Sequence, residues 1–158
     1  MGSTSMRGQL AWTWARFEGL SLDDLYDALA LRAQVFGVEQ ACAYLDPDGL
    51  DRQAWHLLAR ERGGRLVAYL RVVDPDAKYD VPSIGRVVVD PSRRGTGLGG
   101  TLMTEGLARC DAAWPGRANR ISAQSHLQVF YAAQGYEARG QPYLEDDIPH
   151  IEMERPGS

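Results

Sequence analysis

Residues 84–101 read Ile-Gly-Arg-Val-Val-Val-Asp-Pro-Ser-Arg-Arg-Gly-Thr-Gly-Leu-Gly-Gly-Thr and carry the strongest structural signal of this chain. The apolar run Ile84–Val89 predicts a buried strand, and the apolar spacing from Leu98 to Trp114 predicts a helix. The glycine-rich turn between them lies at a helix N-terminus, where backbone N–H groups have no intrahelical partner and the helix dipole favours negative charge. Glycine also lets the backbone approach a phosphate closely. The stretch therefore predicts an anion-binding turn.

The composition indicates one globular domain. The chain has 158 residues, of which 44% are hydrophobic and 24% are charged, and this length allows a real core. The net charge of −4 argues against nucleic acid as a partner, and no apolar run reaches the roughly 18 residues of a membrane span. Met1–Ser5 resembles a cloning scar, which leaves residues 6–158 as a single domain. The two cysteines, Cys42 and Cys110, make no disulfide framework, and this favours a reducing cytoplasm.

Hydrophobic periodicity and turn residues predict an α+β arrangement around one sheet. Ser21 is expected to cap the first helix, Ser125 and Gln128 to form a capping box, and Gly135 to end the last helix. The predicted elements, in order, are strand 10–17, helix 22–37, loop 38–51, strands 55–60 and 65–73, loop 74–83, strand 84–89, helix 98–114, strand 120–123, helix 125–135, and strands 136–139 and 148–154.

Several interpretations of the glycine-rich turn compete. Gly95-x-Gly97-x-x-Gly100 matches the dinucleotide fingerprint, but residues 117–120 lack the acidic residue expected there, and too little chain remains for that fold. A P-loop start also matches, yet Thr101 stands where the phosphate-binding lysine should be. The third interpretation is the signature Q/R-x-x-G-x-G/A, which begins at Arg94. A turn without any ligand is the remaining alternative.

The third pattern resembles the acetyl-CoA pyrophosphate loop of the GCN5-related N-acetyltransferase (GNAT) superfamily. Residues 128–136, Gln-Val-Phe-Tyr-Ala-Ala-Gln-Gly-Tyr, resemble that family's F-Y-x-x-x-G-F/Y segment. A ligand-free turn does not explain this second motif. The likeness is closer to the ElaA-type subgroup, and the matching pieces lie within 31–40, 84–87, 124–131 and 148–151. The resemblance implies the GNAT acyl-CoA N-acyltransferase fold, with a mixed, mostly antiparallel sheet flanked by helices.

The resemblance also implies acetyl-CoA as the co-substrate, with its pyrophosphate on the backbone of the glycine-rich turn. In this family the preceding strand carries a bulge and splays from the next strand, which leaves an N–H aimed at the thioester carbonyl; Val88 or Val89 is the predicted donor. Gln124 stands where many relatives carry an asparagine that binds the pantetheine arm. The predicted cofactor-binding residues are Val87, Val88, Val89, Arg94, Gly95, Thr96, Gly97, Leu98, Gly99, Gly100, Gln124 and Tyr131.

The implied reaction is direct attack of a primary amine on the thioester. Tyr131 is the candidate general acid toward the sulfur, because a phenol is protonated at neutral pH; a purely structural tyrosine is the alternative. An alkyl amine needs a base, since most of it is protonated at neutral pH. Glu39, which follows the first helix, and His56, which opens a strand expected to line the cleft, are the predicted bases. His126, His150 and a water-mediated base are further options.

The predicted acceptor is a small-molecule or peptide amine, and the resemblance allows a homodimer. Acidic clusters at 46–51 and 145–147 would attract a cationic amine if they rim the cleft, and solvated loop charge is the alternative. No metal is expected, because the three histidines are too dispersed for a zinc site. Both cysteines are expected to pack in apolar surroundings. A non-catalytic acyl-CoA-binding or sensing module is the competing function, since it would keep the glycine-rich turn without needing Tyr131.

Overall fold

The computed structural model of the chain describes residues 10–42 and 44–158, together with the backbone of Ser3 and Thr4. Ser3 and Thr4 pair with the strand that begins at Ala11, although they fall inside the segment interpreted as a cloning scar. The strands are β1 (Ser3–Thr4), β2 (Ala11–Arg16), β3 (Ala54–Arg60), β4 (Leu66–Val73), β5 (Ser83–Val89), β6 (Asn119–Gln124), β7 (Glu137–Glu145) and β8 (Ile148–Arg155), and the α-helices are α1 (Leu22–Arg32), α2 (Leu98–Ala113) and α3 (Gln128–Ala132).

Five strands form an antiparallel sheet in the order β1-β2-β3-β4-β5. Every residue of β4 is buried, because helices cover both faces of this strand. Leu102 of α2 packs with Leu70 on one face, and Leu31 of α1 packs with Tyr69 on the other. A Cβ at Gly106 would lie 2.8 Å from Cδ2 of Leu70, so glycine is what lets α2 lie this close to the sheet.

A second antiparallel sheet has the order β6-β8-β7, so the expectation of one mixed sheet is wrong. The α+β arrangement of antiparallel sheets flanked by helices is confirmed. Two hydrogen bonds join the sheets where β5 and β6 begin: the N–H of Ile84 donates to Asn119 Oδ1 (3.3 Å) and the N–H of Arg120 donates to the Pro82 carbonyl (3.2 Å). Within the described residues no ladder joins β5 to β6 beyond this point. This divergence is the splay that the resemblance implies.

A bulge interrupts β5 where it passes β4. The register shifts by one residue between Tyr69 and Arg71, so Arg86 and Val87 both lie opposite Leu70. Arg86 has φ 49°, in the left-handed region that a residue with a side chain rarely adopts. The backbone direction of β5 therefore changes beside the point where the sheets separate.

The first helix begins as predicted and ends later. The Ser21 hydroxyl accepts from the Asp24 N–H (3.0 Å), and the Asp24 carboxylate accepts from the Ser21 N–H (3.4 Å). After Arg32 the chain continues as a π-helix over Ala33–Glu39. These wider turns carry the helix past Gly37, where the glycine was expected to end it.

The single helix predicted over 125–135 is instead a 3-10 turn followed by the short α3. The expected capping box is wrong: the Ser125 hydroxyl is buried and has no hydrogen-bond partner among the described residues. The predicted end is correct, because Gly135 has φ 97° and the Tyr136 N–H donates to the Tyr131 carbonyl (3.2 Å), as in a Schellman motif.

The hairpin of β7 and β8 is longer than predicted. Strand β7 was expected to end at Arg139 but continues to Glu145, because Gly140 (φ 73°) absorbs a register shift before Tyr143. The extension brings Glu145 into register with Ile148.

Candidate active site

A cavity of about 130 Å³ opens between β5 and β6, where the sheets diverge. It brings together three residues of the predicted site, Val87, Gln124 and Tyr131, with one further candidate, His150. Pockets for drug-sized ligands are larger, roughly 300–1,000 Å³. The space therefore suits the reacting ends of two small molecules.

Tyr131 presents an unbonded hydroxyl to this cavity. The residue is 8% exposed, and burial raises the pKa of its phenol to about 12. In the described part of the chain, no group hydrogen-bonds this hydroxyl, whereas the neighbouring Tyr136 donates to Asn119 Oδ1 at 2.6 Å. The two rings lie edge to face, with centroids 5.9 Å apart. Of the three buried tyrosines, Tyr69 and Tyr136 have hydrogen-bonded hydroxyls, and only Tyr131 keeps its proton available for a ligand.

At the start of α2, the glycine-rich turn presents backbone N–H groups without acceptors in the described part of the chain. Gly95 (φ 76°) and Gly97 (φ 84°) are in the left-handed region, and Gly97 immediately precedes α2. The N–H groups of residues 95–100 donate to no acceptor within the described residues. A Cβ at Gly99 would lie 3.4 Å from the ring of Phe130, so this ring packs on the turn. The unpaired donors at a helix N-terminus fit an anionic group.

Arg94, at the start of this turn, already has a partner. Its guanidinium donates to both carboxylate oxygens of Glu39, each at 2.6 Å. These hydrogen bonds lower the pKa of Glu39, which makes it a weaker base. Glu39 also does not line the cavity of Tyr131. The geometry gives the predicted base role of Glu39 no support, and that role stays a prediction.

Gln124 is likewise in contact with the segment after α1. Its Nε2 donates to Oε1 of Gln40 at 3.1 Å, and both amides line the cavity. Two adjacent residues, Glu39 and Gln40, therefore contact two separate parts of the predicted cofactor site. The functional interpretation of the sequence missed Gln40, although it lies in the matching segment 31–40.

The predicted strand edge Val87–Val89 faces two environments. Val87 lines the cavity, whereas Val88 is 2% exposed and belongs to the core on the α1 face. Val89 packs against the core on the other face and is absent from the cavity lining. Of these three residues, Val87 alone lines the cavity, and the predicted oxyanion donors Val88 and Val89 stay predictions.

His56 does not line the cavity, so the expectation that it faces the cleft is corrected. It is 1% exposed, its Nε2 lies 2.9 Å from the Asp51 carbonyl oxygen and its Nδ1 lies 2.7 Å from the Tyr69 hydroxyl. Because a carbonyl only accepts, Nε2 carries the proton and Nδ1 accepts from Tyr69. Burial also lowers the pKa of His56. Both ring nitrogens are used within the fold, so the geometry does not support His56 as the base.

The acidic loop at 46–51 carries no free charge. Arg32 (1% exposed) lies 2.9 Å from Asp46 and 2.8 Å from Asp51, and Arg71 (3% exposed) lies 2.8 Å from Asp48 and 3.0 Å from Asp51. The loop therefore neutralises buried guanidinium groups. Both interpretations offered for it, solvated charge and attraction of a cationic amine, are wrong.

Glu145 and His150 meet at the cavity, across the β7–β8 hairpin. His150 is 6% exposed; its Nδ1 lies 2.7 Å from the Ile148 carbonyl oxygen, and its Nε2 lies 3.5 Å from Oε2 of Glu145. The Ser122 hydroxyl donates to Oε1 of Glu145 at 3.1 Å. His126 is not part of the cavity lining. Of the three histidines considered as the base, His150 is thus the one that lines the same cavity as Tyr131.

The cysteines differ from each other. Cys110 is 4% exposed in the core, as expected, and burial raises the pKa of its thiol to about 12. Cys42 lines the cavity and does not pack in a core, which corrects the expectation for that residue. Burial and then the charge of Asp146 raise the pKa of its thiol. Neither thiol is set up as a nucleophile.

Among the described residues, no group of three or more His, Cys, Asp and Glu side chains is placed to hold a metal ion. None of the helices in this part of the chain is long and apolar enough to cross a membrane.

Comparison with known proteins agrees with this geometry. A family model described as "Acetyltransferase (GNAT) domain" matches residues 32–156. Protein ElaA of Escherichia coli is 39% identical over 148 residues, which cover 92% of this chain and 96% of ElaA. The structure of an acyl-CoA N-acyltransferase from Pseudomonas aeruginosa is 44% identical with a TM-score of 0.87, and the structure of E. coli ElaA is 38% identical with a TM-score of 0.86. Each match covers 92% of this chain and 99% of the solved chain. The chain therefore belongs to the GNAT acetyltransferase family.

Proposed function

We propose that this protein transfers the acetyl group of acetyl-CoA to a primary amine of a small molecule or peptide. The observation that carries the proposal is the unbonded phenol of Tyr131 in a cavity between the diverging β5 and β6. Phe130, the residue before Tyr131, packs its ring on Gly99. Neighbouring residues of α3 therefore contact the glycine-rich turn and line the cavity. The same short helix thus supports both ends of a thioester-binding site.

The residues that would hold acetyl-CoA belong to the glycine-rich turn and to two strand edges. The unpaired N–H groups of residues 95–100 suit a diphosphate, and Arg94 adds positive charge. A diphosphate there competes with Glu39 for the Arg94 guanidinium. The backbone of Val87–Val89 and the amide of Gln124 offer hydrogen bonds to the pantetheine arm. Acetyl-CoA itself supplies the thioester that the amine attacks.

The protein has two tasks at the thioester. A backbone N–H must stabilise the negative charge on the carbonyl oxygen, and Val88 and Val89 are the proposed donors. The bulge opposite Leu70 and the position of Val87 in the cavity lining add Val87 as a third candidate. A donor must also meet the departing sulfur. The Tyr131 phenol, with a pKa of about 12, is a weaker acid than a thiol of pKa about 8.5. It therefore acts by hydrogen bonding to the sulfur, and its proton moves only as the amine gives up its own.

We place the reaction in the cytoplasm, because both Cys42 and Cys110 are free thiols. The proposed acceptors are soluble amines and not nucleic acid or membrane lipid. Homodimer formation stays a prediction.

Calorimetry with acetyl-CoA, followed by a CoA-release assay with spermidine, kanamycin, L-lysine and a peptide with a free N-terminus, tests the proposal. We expect saturable binding of acetyl-CoA and release of CoA with at least one amine. Tight binding without turnover of any amine would favour an acyl-CoA-binding or sensing module. No binding would refute both functions.

A further inference from the structure

We propose that His150 is the general base of this reaction and that Glu145 is its positioning carboxylate. The inference rests on the proposed N-acetyltransferase function and deepens it at one unassigned step. An alkyl amine is mostly protonated at neutral pH and cannot attack until a base removes a proton. The base must therefore share a cavity with the group that meets the sulfur, and His150 shares one with Tyr131.

The hydrogen bonds of His150 fix which nitrogen is basic. Nδ1 lies 2.7 Å from the carbonyl oxygen of Ile148, and a carbonyl only accepts, so Nδ1 carries a proton. In the neutral ring the lone pair is then on Nε2, which is the nitrogen that faces Glu145. The carbonyl at the start of β8 thus sets the tautomer that a base requires.

Glu145 is positioned to stabilise the imidazolium that forms. Its Oε2 lies 3.5 Å from Nε2 of His150. An ionised carboxylate has no proton to donate to a neutral Nε2, but it attracts this nitrogen once the ring is protonated. The Ser122 hydroxyl holds the other oxygen of the same carboxylate at 3.1 Å. The ring of Tyr143 lies within 25° of parallel to the imidazole, with 6.3 Å between the ring centroids. The carboxylate and the two neighbours form a support for His150.

Other charged groups around the cavity leave this pair as its proton-accepting centre. Arg71 and Arg86 line the cavity, but each is paired with aspartates of the 46–51 loop. Lys78 and Asp146 also line it and carry opposite charges. Neither arginine nor a protonated lysine accepts a proton, so the acceptors that line the cavity are the imidazole of His150 and the carboxylates of Glu145 and Asp146. Of these two kinds of group, imidazole is the stronger base.

The acceptor amine loses one proton before it attacks the thioester and a second one afterwards. His150 Nε2 takes one proton from the ammonium group of the acceptor, and the neutral nitrogen attacks the thioester carbonyl carbon. The C–N bond forms and the C–S bond breaks, with the bonding electron pair leaving on sulfur. Sulfur takes the Tyr131 proton, and the second amine proton restores the phenol. The products are the amide, CoA and one proton, which His150 releases to solvent.

The test compares His150→Asn with His126→Asn. The asparagine amide keeps an N–H near the position of Nδ1 for the Ile148 carbonyl but has no basic nitrogen, and His126 lies outside the cavity lining. With the best alkyl amine of the panel, kcat/KM at neutral pH should fall about 100-fold or more in His150→Asn and stay unchanged in His126→Asn. Acetyl-CoA binding by calorimetry should stay within about twofold in both variants, which also shows that they are folded.

Two further measurements separate a base from a structural histidine. An analogue of the same amine with fluorines beside the nitrogen is unprotonated at neutral pH, so His150→Asn should slow it less than about tenfold. The rising limb of the pH–rate profile should disappear in His150→Asn. Glu145→Gln should lower kcat/KM for the alkyl amine more than for the fluorinated analogue, because the imidazolium loses its stabilising carboxylate.

Three results would contradict the base assignment or the function on which it rests. If wild-type protein turns over an amine and His150→Asn keeps that rate and the rising limb, the base assignment is wrong and the N-acetyltransferase function stands. Equal losses for the alkyl amine and its fluorinated analogue also refute a base. If wild-type protein binds acetyl-CoA but turns over no amine, the proposed function fails, and the base assignment fails with it.

Discussion

The carboxylate of Glu39 accepts one hydrogen bond on each oxygen from the guanidinium of Arg94, at 2.6 Å each, across 55 positions of sequence. A predicted base and a predicted cofactor-binding residue thus satisfy each other. Because the diphosphate of acetyl-CoA would compete for the same guanidinium, we expect Glu39→Gln to bind acetyl-CoA a few-fold more tightly, with kcat unchanged. Calorimetry and steady-state kinetics measure the two quantities separately.

Glu61→Gln is the matched control, because Glu61 lies 3.0 Å from the neighbouring Arg93, which is outside the predicted cofactor set. It should leave the acetyl-CoA affinity unchanged. If Glu39 were the base, Glu39→Gln would instead lower kcat about 100-fold and leave the affinity as it was.

The buried tyrosines Tyr131 and Tyr136 should respond oppositely to loss of the hydroxyl. Tyr131→Phe removes a hydroxyl without a protein hydrogen bond in the described part of the chain, so we expect an unchanged melting temperature and a kcat about 10- to 100-fold lower. Tyr136→Phe removes the 2.6 Å hydrogen bond to Asn119, so we expect a loss of about 1 kcal/mol in the free energy of unfolding. Thermal melts and CoA release measure both effects. Full kcat in Tyr131→Phe would contradict a role at the sulfur.

Gly97 and Gly64 both have a positive φ but lie in different turns. Gly97 (φ 84°) precedes α2 in the anion-binding turn, whereas Gly64 (φ 94°) lies in the turn between β3 and β4. Alanine at either position should cost about 1 kcal/mol of stability. Only Gly97→Ala should also weaken acetyl-CoA binding, because it displaces the N–H donors of the turn. Equal affinities of the two variants in calorimetry would show that the turn does not hold the diphosphate.

Asp51 is expected to be a stability determinant. It lies 2.8 Å from Arg32, which is 1% exposed, so Asp51→Asn leaves a buried guanidinium charge without full compensation. We expect a loss of about 3–5 kcal/mol in the free energy of unfolding, measured by urea denaturation. Asp74→Asn is the control, because its pair with Arg16 is about one-third exposed and should contribute less than about 1 kcal/mol. A similar loss in both variants would contradict the importance of burial.

Lowering the pH should weaken the ion pairs between the 46–51 loop and the buried arginines. Burial raises the pKa of Asp48, but the hydrogen bonds and charge of Arg71 outweigh burial and lower that pKa to about 2. The unfolded chain titrates Asp at about 3.9, so the unfolded state binds the proton first as the pH falls. The contribution of Asp48 is therefore present above about pH 4 and is lost between about pH 4 and pH 2. Urea denaturation across this range should show a steeper loss for wild-type protein than for Asp48→Asn, and parallel curves would contradict the assignment.

Much of the fold follows from neighbouring residues. The strand, glycine-rich turn and helix over 84–114, the Ser21 cap and the Gly135 helix end were predictable, because hydrophobic period and glycine backbone freedom act over a few positions. Lengths were less predictable where the backbone departs from regular geometry. The π-helix over 33–39 and the Gly140 register shift have no periodic signal.

The candidate site, like the fold, contains parts that local sequence predicts and parts that it does not. The glycine-rich turn and Tyr131 were identified as candidate site residues from short motifs, since a helix N-terminus and its glycines are contiguous in the chain. The partners of the charged side chains could not be predicted from such motifs. The aspartates of the 46–51 loop pair with arginines on α1, β4 and β5, and His56 is hydrogen-bonded to the Asp51 carbonyl. Such pairings depend on how separate elements pack, because a charge accepts whichever opposite charge the fold brings near it. Local sequence pattern therefore identified the glycine-rich turn and Tyr131, whereas packing of distant segments brought Glu39 to Arg94 and placed Tyr131 and His150 on one cavity.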